Sequence, residues 1–244
     1  MNILVIGAGG VGASMASIAE TRSFFSTFVL ADITKSRAEE AIALLDDRTK
    51  FVAEQVDARD KEAIKALIHK VKADVVVNAC DPRMNEPIFG AAYEAHCNYI
   101  DMAMNLSEPH QTNPYEEVGS PLGKDQLAAD AQWRERGILA LVGMGVEPGL
   151  SDVFARYAAD NLFDTIDEIG VRDGSNLSID GLDFAPTFSI WTTIEECLNP
   201  PIVWEKNKGL FTTDCFSEPE VFHFPAGIGP YECVNVEHEE VLLI

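Results

Sequence analysis

A strand-sized apolar run, Ile3-Leu4-Val5-Ile6, leads directly into Gly7-Ala8-Gly9-Gly10-Val11-Gly12, and a helix-like segment from Ala13 to Glu20 follows. Few folds accommodate a strand, a glycine turn and a helix in that order. Each glycine has a physical reason. Gly7 permits the tight turn off the strand, Gly9 lets a pyrophosphate approach the backbone, and Gly12 lets the helix pack close to the strand. Gly10 and Val11 complete the turn as candidate cofactor contacts, and the helix N-terminus that follows would offer free N–H groups and a positive dipole end to phosphates. Asp32 ends the next apolar run, 20 positions after Gly12. An acid there is expected to bind ribose hydroxyls. The set reads as a dinucleotide site. A carboxylate at Asp32 repels a 2′-phosphate, which favours NAD. Lys35, Ser36 and Arg37 follow closely and could accept that phosphate, so NADP stays open.

The rest of the first half repeats the alternation. Short β-branched or aromatic runs stand at Ile3–Ile6, Phe28–Ala31, Asp74–Asn78, Asn98–Ile100 and Ile138–Val142. Helical spacing fills the gaps, at Ser36 to Leu45, from Asp60 (Ile64, Leu67, Ile68 and Val71 on one face) and from Pro87 to His96. Asp60 is placed to cap its helix. Continuous apolar strands alternating with helices predict an α/β fold, a Rossmann-type doubly wound parallel sheet. Asp57 and Ala58 close the third strand, where Asp57 either contacts the adenine or is an exposed turn acid. Ala79 and Cys80 follow the fourth strand, whose loop borders the cofactor in sheets of this kind.

Composition limits the partners. With 40 acidic and 18 basic residues, the formal net charge is −22. Such a field repels nucleic acid and anionic membranes. No apolar run approaches the roughly 20 residues that span a bilayer, and the amino-terminal residues lack a signal-peptide pattern. A cytoplasmic protein is the expectation. The five cysteines are dispersed without CxxC spacing, which predicts reduced thiols and no structural metal.

The pattern changes after Pro148. Residues 107–126 carry three prolines and two glycines and read as a long loop, either a lid or disordered. A helix capped by Ser151 is expected up to Asn161. Short strands are expected at Ile166–Val171, Phe184–Trp191, Ile202–Trp204, Val221–Phe224 and Cys233–Val236. The organisation read from this is a dinucleotide-binding domain at 1–150 and a second, α+β domain at 151–244. The apolar ending Val241-Leu242-Leu243-Ile244 leads us to expect that the polypeptide continues, so that the second domain is truncated.

Four segments together resemble the saccharopine dehydrogenase family. They are the glycine turn with Asp32; Cys97-Asn98-Tyr99-Ile100-Asp101-Met102; Gly145-Val146-Glu147-Pro148-Gly149-Leu150-Ser151-Asp152; and Pro186-Thr187-Phe188-Ser189-Ile190-Trp191 through Gly209. The third is the most diagnostic, and Val234 to Glu240 adds weaker support. The resemblance implies reversible, NAD(P)-dependent hydride transfer at a carbon bearing nitrogen, in an amino acid, opine or carboxypolyamine. It also implies a homodimer whose second domain serves substrate binding and dimerisation. Such chemistry needs an anchor for an amino-acid carboxylate, for which the helix start at Gly149–Ser151 is a candidate.

Asp101, where the fifth strand ends, and Glu147, on the diagnostic loop, are the candidate catalytic groups. For Asp101 the alternative role is to cap the following turn. His238 alternates with Glu237 and Glu239 and reads as a solvated strand residue. A short-chain reductase would need Tyr-x-x-x-Lys, and none of the five tyrosines has a lysine four residues on. The alternative to an enzyme is a non-catalytic NAD-binding sensor or partner-binding module, since no clear acid–base constellation stands out.

Overall fold

The computed structural model describes residues 1–174, 177–183 and 189–244. The chain divides into two compact units. One comprises residues 1–106 and 123–146, the other 107–122 and 147–244.

The first unit is built on strands β1 (Asn2–Ile6), β2 (Thr27–Asp32), β3 (Phe51–Gln55), β4 (Val75–Asn78), β5 (Asn98–Asp101) and β6 (Ala140–Leu141). All pair in parallel in the order β3-β2-β1-β4-β5-β6. This is the doubly wound Rossmann order, and its direction reverses between β1 and β4. Helices α1 (Gly10–Glu20), α2 (Lys35–Ala43), α3 (Lys61–Val71), α4 (Asn85–Glu94), α5 (Lys124–Ala128) and α6 (Asp130–Arg136) connect the strands.

The sheet is apolar on both faces because successive side chains of a strand point to opposite sides. Leu4, Ile6, Val29 and Ala31 join Ile64, Leu67, Ile88, Ala92 and Trp133 in one core. Their neighbours Ile3, Val5, Phe28 and Leu30 join Ala16, Ala19, Ala38 and Ile42 in the other. Asp60 caps α3, accepting the Ala63 N–H at 3.0 Å. Residues 107–122 belong to the second unit, where Glu108 and Ser120 form an antiparallel bridge.

The second unit contains α7 (Leu150–Asn161), α8 (Ile190–Leu198), the hairpin β7 (Ile202–Glu205) and β8 (Gly209–Thr212), the hairpin β9 (Glu220–Phe224) and β10 (Gly229–Cys233), and α9 (Glu240–Leu243). Several expectations need correction here. Ile166–Val171 forms no strand. Of the strand expected at Phe184–Trp191, residues 184–188 lie outside the described residues, and Ile190 and Trp191 open α8. The last strand is Gly229–Cys233 rather than Cys233–Val236, and His238 lies outside any strand. Gly149, not Ser151, is the N-cap of α7. Among the described residues, no helix is long and apolar enough to cross a membrane.

Candidate functional site

The glycine turn joins the carboxyl end of β1 to the start of α1. Gly7 adopts φ +109, and a Cβ there would lie 2.6 Å from the Ala79 carbonyl oxygen. The chain after β4 therefore runs directly against the turn. A Cβ on Gly12 would lie 1.9 Å from the Gly7 carbonyl oxygen, so helix and turn meet backbone to backbone. At Gly9 and Gly10 a Cβ would meet nothing within 4 Å. Both glycines are exposed, as is Val11. Among the described residues, no side chain crowds the α1 N-terminus at these glycines, and no side-chain cap hydrogen bond occupies it. That shape and its unused N–H groups fit a diphosphate.

Asp32 is buried at the end of β2. Its Oδ2 accepts the Ala8 N–H at 3.0 Å and its Oδ1 accepts the Thr34 N–H at 2.9 Å. The residue expected to face a ribose also ties the glycine turn to the β2 loop. A carboxylate has about four acceptor directions, so both oxygens keep capacity for ribose hydroxyls. Beyond it, Lys35 pairs with Glu39 at 3.4 Å, while Arg37 forms no ion pair among the described residues. Asp57 is held by Arg59 at 2.7 Å, and hydrogen bonds from Arg59 lower its pKa to about 2. Ala58 packs on the core beside it. Cys80 donates its thiol to the Ile6 carbonyl at 3.3 Å, and burial raises its pKa to about 12. It is a partly buried, hydrogen-bonded thiol whose raised pKa is the opposite of an activated nucleophile's.

Asp101 has 1% of its surface exposed. Its Oδ1 accepts the Gly143 N–H at 2.7 Å, and its Oδ2 accepts from Tyr99 Oη at 2.9 Å and Gln126 Nε2 at 2.7 Å. Burial raises its pKa to about 6 against the pull of those donors. Three buried amides that the sequence does not mark accompany this carboxylate: Gln126 bonds it directly, while Asn78 reaches it through Tyr99 and Asn85 bonds Asn78. Their available signal was position, since Asn78 breaks the run Val75-Val76-Val77 at a strand's carboxyl end.

In the second unit, taken by itself, carboxyl groups gather around one imidazole. Glu147 has its pKa raised to about 8, first by burial and then by a hydrogen bond to Asp173. Burial raises Glu196 to about 7. Burial alone would lower His238, but its hydrogen bond to Glu240 and the charges of Glu239 and Glu240 raise it to about 9. The expectation of a solvated strand histidine is thus corrected, because His238 is a part-buried imidazolium among carboxylates. Ser151 Oγ donates to Glu240 at 3.0 Å. The Gly149 N–H at the α7 start is already taken by Asp152 at 2.7 Å. A carboxylate therefore occupies the helix end that was expected to anchor a substrate carboxylate.

Strand order, glycine turn and the acid at the end of β2 together define a dinucleotide-binding Rossmann protein. The family model described as saccharopine dehydrogenase NADP binding domain matches residues 3–141. The chain belongs to the saccharopine dehydrogenase family. Among curated relatives, the carboxynorspermidine synthase of Vibrio cholerae is 32% identical over 99% of this chain and 58% of its own length. The carboxyaminopropylagmatine dehydrogenase of Synechocystis is 27% identical over 80% of this chain and 46% of its own. The chain therefore spans about half the length of the curated relatives it matches. Among solved structures, the saccharopine dehydrogenase (L-Glu forming) of Saccharomyces cerevisiae superposes with a TM-score of 0.62 at 14% identity, over 97% of this chain and 50% of that one. That likeness concerns the fold.

Proposed function

We propose that the protein carries out reversible hydride transfer at the C–N carbon of a carboxylated polyamine, using a nicotinamide dinucleotide bound at the Gly7–Gly12 turn. The observation that carries this reading is the carboxyl-rich cluster of the second unit, where Asp152, Asp173, Glu196 and Glu240 gather around the protonated Glu147. Such a field favours a substrate bearing extra ammonium groups over an opine bearing extra carboxylates. The names of the curated relatives, carboxynorspermidine synthase and carboxyaminopropylagmatine dehydrogenase, point the same way.

When bound, a nicotinamide supplies or takes the hydride. The remaining work falls to the chain. In the oxidising direction a CH–NH unit loses a hydride from carbon and a proton from nitrogen, and a C=N bond forms. Reduction returns both. Glu147 is proposed as the group that holds that proton, because burial and Asp173 keep its carboxyl protonated at neutral pH. The guanidinium of Arg37, without an ion pair among the described residues, supports NADP over NAD, with Asp32 serving the glycine turn as well as the ribose. Assembly as a homodimer belongs to the same proposal, and sedimentation of the chain tests it.

The test is NADP reduction by the chain with carboxylated polyamines, with saccharopine and simple opines as comparators. Turnover confined to the polyamines is expected. Preference for saccharopine overturns the substrate assignment. Cofactor binding without turnover on any of them identifies a non-catalytic dinucleotide-binding module instead.

A further inference from the structure

We propose that Asp101 is a positioning residue for hydride transfer, which locks the turn after β6 to the turn after β4. The proposal rests on the hydride-transfer reading above and adds a part of the machinery that the reading does not name.

A continuous line of buried hydrogen bonds crosses the carboxyl edge of the sheet. The Cys80 N–H donates to Asn78 Oδ1 at 2.9 Å. Asn78 Nδ2 donates to Asn85 Oδ1 at 2.7 Å and to Tyr99 Oη at 3.3 Å. Tyr99 donates to Asp101, which also takes the Gly143 N–H. Gln126 closes the side, donating to Asp101 while its Oε1 accepts the Asn105 N–H at 2.7 Å. Asn78, Asn85, Tyr99 and Asp101 are each at most 2% exposed, and Gln126 is 5% exposed.

The line has a fixed polarity. Backbone N–H groups stand at both ends, at Cys80 and at Gly143, and both are donors. A string of amides and hydroxyls passes polarity in one direction only. Some member must therefore accept from both sides, and a carboxylate has acceptors alone. Asp101 is that member. An asparagine of the same shape would turn an N–H₂ toward Tyr99 and Gln126, which are both already committed as donors.

Location separates this network from ordinary core packing. The sheet interior elsewhere is apolar, Val, Ile, Leu, Ala and Phe, whereas these polar groups gather toward the strand ends where open α/β sheets bind ligands. The turn after β4 is the one that lies against Gly7. Fully satisfied buried networks fix one geometry, and misplacement by about 1 Å can cost on the order of 100-fold in rate. Asp101 itself is too deeply buried to touch a substrate, so it acts through the turns it ties.

The experiment compares the full chain with Asp101→Asn, Tyr99→Phe and the double variant Asp101→Asn/Gln126→Glu, whose new carboxylate restores an acceptor. Three quantities are read: NADPH affinity, single-turnover rate with a carboxylated polyamine, and hydrogen exchange at the Cys80 and Gly143 amides. The expected result for Asp101→Asn is a rate lower by about 100-fold with NADPH affinity changed by less than about threefold. Faster exchange is expected at Cys80 as well as Gly143, although Cys80 makes no bond to Asp101. Tyr99→Phe should free Cys80 more than Gly143, and the double variant should regain about tenfold in rate. Three outcomes overturn the proposal: an unchanged rate in Asp101→Asn, exchange altered at Gly143 alone, or rate and affinity lost together without rescue. Absence of turnover by the unaltered chain overturns the hydride-transfer reading and the positioning role with it. That result is distinct from turnover proceeding at equal rate in Asp101→Asn.

Discussion

The backbone N–H of Ala8 donates to the Oδ2 of Asp32 at 3.0 Å, so the acid at the end of β2 is bonded to the glycine turn of β1 before any cofactor arrives. Its Oδ1 holds Thr34 as well. Asp32→Ala leaves two N–H groups without acceptors. Such a loss costs about 1–3 kcal/mol. Denaturant melts should show that drop even in the absence of cofactor, and an unchanged midpoint would contradict the latch. Separately, Arg37→Ala should weaken NADPH about tenfold while leaving NADH alone, which titration of each cofactor reads.

Gly9 and Gly12 separate binding from folding. A methyl at Gly9 meets open space, while one at Gly12 collides with the Gly7 carbonyl. Gly9→Ala should keep thermal stability to within about 0.5 kcal/mol and lose dinucleotide affinity by more than about tenfold. Gly12→Ala should lower stability itself, because backbone must move. Equal melting behaviour of the two variants would refute the assignment.

The pH dependence of turnover follows from Glu147, whose pKa is raised to about 8 by burial and by Asp173, with His238 lowering it and Glu240 raising it. A raised pKa means the proton is present below about 8 and lost above it. Reduction should therefore fall as pH rises through that value, and oxidation should rise. Glu147→Gln should remove the limb in both directions. A profile unchanged in Glu147→Gln assigns the proton to another group.

Trp133 is the largest side chain joining α6 to the core, packed at a tilt against Phe89 at 4.8 Å and Tyr93 at 5.5 Å between ring centroids. Trp133→Ala should destabilise the first unit by about 3–5 kcal/mol, read by denaturant unfolding.

The first unit was legible in the residues because its signals are local. The β1 run, the glycine turn and Asp32 each follow from the chemistry of a few neighbouring positions, and the Asp60 cap depends on one side chain. The buried network was not legible. Asn78, Asn85 and Gln126 carry no periodicity, and their partners come from separate elements. The second unit misled the reading for a related reason. Ile166–Val171 carries the β-branched residues of a strand, Ile166, Ile169 and Val171, yet a strand needs a partner edge. His238 has the alternation of a solvated strand, while Glu239 and Glu240 make it a part-buried cation. At α7, Ser151 has cap chemistry, but Gly149 with φ 123 takes the cap and leaves Ser151 to bond Glu240.

The central claim is hydride transfer to a C–N carbon, and isotope transfer tests it most directly. The chain is supplied with NADPH deuterated at the transferring carbon of the nicotinamide and with the imine precursor of a carboxylated polyamine. Mass spectrometry then locates the label. The account predicts deuterium on the carbon bonded to nitrogen in the reduced product. Reduced product without label, or cofactor that binds and keeps its deuterium, would contradict it.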